Sequence, residues 1–223
     1  MVDFHTHILP SMDDGSKDVS MSLQMLHMER ELGVDTLVLT PHFYARQNNP
    51  TRFLQRRSRS WQTLWESLDD GCPQLLLGAE VQFFDNMDNA EEITSLCIGD
   101  TGVLLLEMPF CPWNERIIRT VLNLQDRGDL QLVLAHIERY RSFCRDEKVW
   151  DELRESGILM QVNCSLFSGW LGRRKAMKQM EKDKFQLIGS DCHNLDTRKP
   201  NWNLVPQEAA EAAGDFARDL LGL

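Results

Sequence analysis

The sequence lacks any long apolar run and is short of positive charge. No stretch of its 223 residues approaches the roughly 20 consecutive apolar residues that a membrane-spanning helix needs. The N-terminus also lacks the basic and then apolar pattern of a signal peptide, so we expect a cytoplasmic protein with no membrane insertion. Only 24 Lys and Arg stand against 34 Asp and Glu, a net charge of −10. A field of that sign repels nucleic acid and anionic membranes unless it is locally reversed, and no nucleic-acid partner is expected.

Cysteine frameworks are also missing. The 6 cysteines contain no C-x-x-C pair, which excludes a zinc ribbon or knuckle. Disulfide frameworks are typical of small secreted domains with thin cores, whereas this chain, with 42% hydrophobic residues, is long enough to build a core. We therefore expect reduced and mostly buried thiols.

The sequence does contain seven short aliphatic segments, each followed by a longer segment, most of them amphipathic. This alternation predicts a parallel sheet covered by helices. The predicted strands are 2–8, 36–40, 75–80, 103–107, 130–136, 158–163 and 185–190. The predicted helices are 18–33, 51–68, 112–128, 146–155, 170–182 and 206–221, with a loop at 195–205.

No repeat, low-complexity tract or linker interrupts this pattern. We therefore assign residues 1–223 to one α/β domain, with its motifs in 1–194 and a C-terminal loop and helix in 195–223. Seven βα units predict a barrel one strand short of the usual eight.

Side chains able to bind metal ions end six of the seven predicted strands. In barrels of this type the carboxyl ends of the strands converge, and the side chains found there are His5, His7, His42, Glu80, Glu107, His136, Asp191 and His193, with Asp14 following the first strand. A single polar residue at the start of a loop is ordinary. Glu107 and His136, however, each end an apolar run and would bring a polar group to the edge of a dry core without an evident partner. The set as a whole predicts a metal centre.

The nine predicted ligands comprise five imidazoles and four carboxylates and no thiolate. That mixture suits Mn²⁺, Fe or Zn²⁺ better than Ca²⁺, and nine ligands are too many for one ion. Two or three divalent ions sharing bridging carboxylates are predicted. Three such ions would outweigh the four carboxylates and attract a dianion such as a phosphate monoester. The expected chemistry is hydrolysis by a metal-bridging hydroxide. Cys192, the one thiol near these positions, points away from them on strand alternation.

Six short motifs resemble the PHP superfamily, named for polymerase and histidinol phosphatase. They are His5-Thr6-His7, Thr40-Pro41-His42-Phe43, Gly78-Ala79-Glu80-Val81, Leu106-Glu107-Met108-Pro109, Ala135 to Tyr140, and Gly189-Ser190-Asp191-Cys192-His193. The segments Asp13-Asp14-Gly15 and His136 to Tyr140 also resemble the bacterial metal-dependent protein-tyrosine phosphatases of capsule and exopolysaccharide operons. The resemblance implies a distorted (β/α)₇ TIM-like barrel of the PHP type with three metals, often manganese.

The resemblance also implies roles for particular residues. One metal would be held by His5, His7, Glu107 and Asp191, a second by Glu80, Glu107 and His136, and a third by Asp14, His42, Glu80 and His193. Turnover would depend on His136, Asp191 and Arg139, and Arg139 would bind substrate phosphate, a role that suits a guanidinium. Arg46, on the loop after His42, is a second candidate for contact with the phosphate or with an acidic substrate segment.

The implied substrate is a phosphotyrosine-containing bacterial tyrosine kinase with a tyrosine-rich tail. Two alternatives stay open: a phosphatase for small phosphate monoesters of the histidinol-phosphatase type, and a non-catalytic PHP scaffold. A homo-oligomer also stays open. Six aromatic residues after the strands are candidates either for a groove around the phosphotyrosine ring or for packing of the loops: Phe43, Tyr44, Phe110, Trp113, Phe167 and Trp170. The basic run 173–175 is interpreted as a solvated or subunit-contact surface.

Overall fold

The computed structural model describes all residues from 1 to 223. Nine parallel strands are formed: β1 (Val2–Thr6), β2 (Thr36–Leu39), β3 (His42–Phe43), β4 (Gln74–Leu77), β5 (Glu80–Gln82), β6 (Val103–Glu107), β7 (Gln131–Leu134), β8 (Leu159–Asn163) and β9 (Leu187–Gly189). Six α-helices alternate with them: α1 (Val19–Glu31), α2 (Pro50–Trp65), α3 (Glu115–Asp126), α4 (Glu147–Glu155), α5 (Gly169–Met180) and α6 (Gln207–Leu221). Short 3₁₀ helices occupy Met87–Asn89, Glu91–Leu96, Ile137–Tyr140, Cys164–Phe167 and Trp202–Leu204.

The strand pairings run round a barrel with seven strand positions. One sheet has the order β1-β2-β4 and the other the order β3-β5-β6-β7-β8-β9. The short strands β3 and β5 continue β2 and β4, so these four strands occupy two positions. The two ends meet where Thr6 forms a parallel bridge with Cys192, and the His7 N–H donates to the Cys192 carbonyl at 3.0 Å. The predicted seven-stranded α/β architecture is confirmed.

The strand predictions were wrong in detail at the second and third positions, where each predicted strand ends early and pairing resumes after a short break. Pro41, between β2 and β3, has no N–H to donate to a ladder. At Gly78, between β4 and β5, a Cβ atom would lie 2.9 Å from Ile98 Cγ1, so the chain bends where it passes Ile98. After β5 the chain forms two 3₁₀ helices in place of an α-helix.

Helix boundaries follow local capping signals. The side chains of Asp18, Asn49, Asn114 and Asp146 each accept a hydrogen bond from a first-turn N–H of α1, α2, α3 and α4. Pro50 starts α2, a position where its missing N–H costs nothing. The helices therefore begin within a few residues of the predicted positions.

A β-bulge in β1 directs its histidines into the barrel mouth. Between Asp3 and Thr6 the strand carries one residue more than its partner β2, and an extra residue reverses the alternation of side chains. Phe4 packs with Leu105 and Val133 in the inner apolar cluster, while His5 faces the polar end of the barrel. The bulge lets Phe4 and His5, which are adjacent in the chain, both point into the barrel, Phe4 toward its apolar interior and His5 toward its polar end.

No helix of the structure combines the length and the apolar character needed to cross a membrane. All six cysteines are free, and four of them are buried. The cytoplasmic location stays a prediction.

Candidate metal centre

All nine predicted ligands lie together at the carboxyl end of the barrel. Three groups among them have ligand atoms within 4.8 Å of one another: His5, His7 and Glu80; His42, Glu80 and Glu107; and His7, His42 and His193. Asp191 joins the first group, since its Oδ1 lies 3.5 Å from His7 Nε2. Asp14 joins the third, since its Oδ1 lies 3.4 Å from His42 Nε2 and 3.5 Å from His193 Nε2.

Glu80 lies at the centre of these groups and is 1% exposed. Its Oε1 lies 2.8 Å from His136 Nε2. Its Oε2 lies 2.8 Å from His42 Nδ1 and 3.3 Å from the Nε2 atoms of both His5 and His7. One carboxylate therefore touches four imidazoles that come from three strand positions.

The distances between donor atoms group the predicted ligands around Glu80, while the implied assignment of ligands to three metals stays a prediction. The distances place Glu80 with His5 and His7, and Glu107 with His42 and Glu80. His136 Nε2 lies 3.8 Å from Glu107 Oε1. His7 faces both the first and the third group, which favours a compact polynuclear centre over separate sites.

Three of the imidazoles are fixed so that Nε2 faces the centre. His7 Nδ1 lies 2.8 Å from Asp13 Oδ2, His5 Nδ1 lies 3.3 Å from Gln161 Oε1, and His193 Nδ1 lies 2.9 Å from the Asp191 carbonyl. An Nδ1–H that donates to such an acceptor leaves the Nε2 lone pair free for a metal. The protein thus selects the ligating tautomer.

Buried polar atoms without partners show that the donor set fits metal ions. His193 Nε2, His136 Nδ1, His42 Nδ1 and Glu80 Oε2 are buried and make no hydrogen bond. The last two lie 2.8 Å apart, but not in hydrogen-bonding geometry. Two donors bound at right angles to one ion, each about 2.1 Å from it, would be about 3 Å apart. Donors that converge at this spacing fit shared cations.

Two of the predicted ligands have strained backbone conformations at strand ends. His136 has a φ of 32° and Asp191 a φ of 54°, in the left-handed region that non-glycine residues rarely adopt. These turns direct each side chain back across the mouth of the barrel. Backbone strain of this kind concentrates at functional sites.

Electrostatics within the centre favour ionised carboxylates at its middle. Although burial opposes charge, the imidazole of His5 and the hydrogen bond from His136 hold the pKa of Glu80 well below its usual range. Burial together with the neighbouring Glu80 raises the pKa of Glu107 to about 7. Of these two glutamates Glu80 therefore favours the charged form, and a bound cation would ionise Glu107 as well.

The histidine pKa values split according to their partners. Burial opposes the charged form, but Asp13 and Glu80 outweigh it and raise the pKa of His7 to about 9. Burial and the nearby His7 lower the pKa of His193 to about 3. His193 is therefore neutral at physiological pH, as a metal ligand must be.

Two arginines hold Asp191 from the open side of the centre. Arg139 and Arg198 each donate to its carboxylate, Arg198 at 2.8 Å, and Asn163 donates a third hydrogen bond at 2.9 Å. Both guanidinium side chains are 37% exposed. Their remaining N–H groups are available to oxygens of a bound anion.

Arg198 was missed by the sequence reasoning, although a signal was present. It follows Cys192 at the Cys-x₅-Arg spacing of cysteine-dependent phosphatases. The structure argues against that chemistry, because Cys192 is fully buried in the apolar core. Burial, with Glu29 and Asp3 beside it, raises the pKa of the Cys192 thiol well above its usual range. A reactive thiolate needs the opposite environment.

Asp3 and Asp13 were also missed. Asp3 accepts hydrogen bonds from the backbone N–H groups of His5 and Ser190 at 3.2 and 2.9 Å and from Trp202 Nε1 at 2.8 Å. It thereby joins β1 to the end of β9, next to two predicted ligands. Asp13 fixes His7. The signal for both was their position beside the predicted ligands.

Among the predicted aromatic candidates, two line the centre. Tyr44 stacks on His42 with ring centroids 5.1 Å apart, and Phe110, 47% exposed, stacks on His136 at 6.1 Å. The groove expectation was wrong for Phe43 and Phe167, which are core residues. Trp113 packs on Trp150, and Trp170 is exposed on α5. Arg46 is exposed on the turn after β3, and its substrate role stays a prediction.

The fold and the site define a parallel seven-stranded α/β barrel with histidines and carboxylates gathered at its carboxyl end. A crystal structure from the set of YwqE of Bacillus subtilis and CpsB of Streptococcus pneumoniae, described as metal-dependent tyrosine phosphatases, has this fold. It superposes with a TM-score of 0.80 at 22% identity and covers 99% of this chain and 94% of that one.

Within that class the chain belongs to the capsular polysaccharide synthesis CpsB/CapC family, whose sequence model matches residues 1–217. It is 27% identical over 215 residues to the tyrosine-protein phosphatase YwqE of Bacillus subtilis, with 94% of this chain and 82% of the relative covered. It is 28% identical over 211 residues to the tyrosine-protein phosphatase CpsB of Streptococcus pneumoniae, with 90% and 86% covered.

Proposed function

We propose that this protein is a metal-dependent protein-tyrosine phosphatase. The observation that carries the proposal is the convergence of nine predicted ligands around buried donor atoms without partners, with two arginines at the rim. The named relatives are tyrosine-protein phosphatases, which supports the same reaction. The proposed ligands are His5, His7, Asp14, His42, Glu80, Glu107, His136, Asp191 and His193.

Manganese is the proposed metal. Imidazole and carboxylate donors without a thiolate suit Mn²⁺, and Fe or Zn²⁺ would bind to the same donors. The close spacing of three ligand groups supports two or three ions per chain. When bound, such ions supply an activated water and offset the charge of the phosphoryl group.

The protein's own residues bind and orient the substrate. Arg139 and Arg198 lie on the exposed side of Asp191, where their guanidinium groups would donate to phosphoryl oxygens. Developing negative charge on those oxygens strengthens such hydrogen bonds in the transition state. Phe110 and Tyr44 flank the opening and offer aromatic faces to a phenyl ring.

The leaving group fits this site. A tyrosine phenol has a pKa of about 10, so its anion leaves without much help from a general acid. Solvent water at the open side of the centre can supply the proton that the phenolate takes up after it leaves. The proposed physiological substrate is a phosphotyrosine-containing bacterial tyrosine kinase, which fits the family's part in capsular polysaccharide synthesis.

A comparison of two substrates tests the proposed reaction. With Mn²⁺ present, kcat/KM for a phosphotyrosine peptide is expected to exceed that for histidinol phosphate by at least about 10²-fold, because an alkoxide leaves far less readily than a phenoxide. Phosphate release is the measurement. An equal or higher kcat/KM for histidinol phosphate would instead favour a small-molecule phosphatase, and no release from either substrate would favour a non-catalytic scaffold.

A further inference from the structure

A basic cavity lies outside the barrel beside the metal centre. It measures about 650 Å³ and opens between the 3₁₀ helix Ile137–Tyr140, α4 and α5. Five cationic side chains line it: Arg141, Arg145, Lys175, Lys182 and Lys184. The only acids in the lining are Glu138 and Glu147. The sign of the local charge is thus opposite to the −10 of the whole chain.

Part of this positive charge has no partner. Arg141 pairs with Glu147 at 2.5 Å, and Lys184 pairs with Asp151 at 2.9 Å. Arg145, Lys175 and Lys182 form no ion pair and face the same opening. Three like charges left unpaired around one concave surface favour an anionic ligand.

The floor of the cavity adds apolar and hydrogen-bonding chemistry. Ile137, Val162 and Phe185 are buried there and form an apolar base. Glu138 Oε1 accepts a hydrogen bond from the Asn163 N–H at 3.2 Å, whereas its Oε2 is buried without a partner. That oxygen can accept a hydrogen bond from a ligand N–H group once the Glu138 side chain turns toward the opening.

The cavity and the metal centre share one wall. His136 and Arg139 point into the metal centre, while Ile137 and Glu138, between them in the chain, line the cavity. A ligand in the cavity is therefore separated from the centre by a single segment of main chain. A polypeptide that runs along this segment can therefore place its phosphotyrosine in the centre and a neighbouring residue in the cavity.

We propose that the basic cavity binds an acidic segment of the protein substrate, close in sequence to its phosphotyrosine. This inference rests on the proposed phosphatase function. A polypeptide offers carboxylates for the three unpaired cations, an apolar side chain for the floor and an N–H for Glu138. A free inorganic anion would use only the cations. An anionic membrane would use a convex surface, such as the exposed Trp170 and Leu171 on α5, and leave the cavity unused.

Charge reversal tests the proposal. In the double variant Lys175→Glu/Lys182→Glu, kcat/KM for a phosphotyrosine peptide flanked by Asp and Glu is expected to fall at least about 10-fold, since four units of charge change at the rim. The value for a peptide flanked by Ser and Gly should change less than about 3-fold, and that for p-nitrophenyl phosphate less than about 2-fold. The wild type should prefer the acidic peptide, and added salt should weaken the preference.

The matched control is Arg52→Glu/Arg59→Glu, which makes the same change of charge on the exposed face of α2. It should leave the preference for the acidic peptide intact. An equal loss in both variants, or a wild type without preference, overturns the proposal. The wild type could instead bind phosphatidylserine vesicles and show no preference for the acidic peptide. If Lys175→Glu/Lys182→Glu abolishes that binding, the two lysines contact a membrane and the peptide proposal is overturned. If the wild type fails to hydrolyse p-nitrophenyl phosphate, the phosphatase function itself is wrong.

Discussion

Replacing Glu80 by Gln is expected to lower kcat/KM for p-nitrophenyl phosphate by at least about 10³-fold. The amide keeps the volume of the side chain but removes the charge that touches His5, His7, His42 and His136. A carboxylate that bridges metals contributes several kcal/mol to binding and charge stabilisation, and each 1.4 kcal/mol is about tenfold in rate. Bound metal should fall by at least one ion per chain, measured by inductively coupled plasma mass spectrometry.

The matched control makes the same exchange at another fully buried glutamate, Glu29 on α1. Burial, together with the nearby Asp3, raises the pKa of Glu29 well above its usual range and so disfavours its charged form, and Glu29 is not a proposed ligand. Glu29→Gln should therefore retain its metal and remain within about fivefold of wild-type activity. A Glu80→Gln variant that keeps its full metal content and its turnover would remove Glu80 from the proposed centre.

Replacing Arg139 by Ala is expected to lower kcat/KM by about 10²- to 10³-fold, the usual effect of removing one donor to a charged transition state. Arg198→Ala should have an effect of similar size, because both guanidinium groups lie on the same carboxylate at the rim. The loss should appear mainly in kcat, since these donors act most strongly on the developing charge. Steady-state kinetics with p-nitrophenyl phosphate give the result.

Metal content separates this role from a structural one. Both arginine variants should keep the wild-type number of bound ions, because neither side chain is a proposed ligand. Arg139→Lys should recover part of the lost activity by restoring the charge without the fork of donors. Loss of metal together with activity in Arg139→Ala would show that the arginine acts by positioning Asp191 and does not bind phosphate.

The sequence predicted the barrel and the gathering of its ligands because both depend on order along the chain. A strand end is visible as the point where an aliphatic run stops, as at Glu107 or His136, and parallel topology then brings all such points to one edge. Capping residues such as Asp18 fixed the helix boundaries for a similar local reason. These features need no knowledge of contacts between distant residues.

The remaining parts of the site depend on such contacts. Asp3 and Trp202 are separated by 199 residues and meet only in the folded chain. Arg198 lies in a stretch that reads as a loop, and its contact with Asp191 requires the left-handed turn at that residue. The breaks after β2 and β4 follow from tertiary contacts such as that of Gly78 with Ile98, which hydrophobic periodicity does not report.

A titration of metal against activity tests the central claim most directly. The protein is stripped with a chelator, dialysed, and reloaded with stepwise additions of Mn²⁺ while bound metal and hydrolysis of a phosphotyrosine peptide are measured on the same samples. We expect stripped protein to retain less than about 1% of the activity, and activity to return only as two or more ions bind per chain. Full activity in protein that holds no metal would contradict the account.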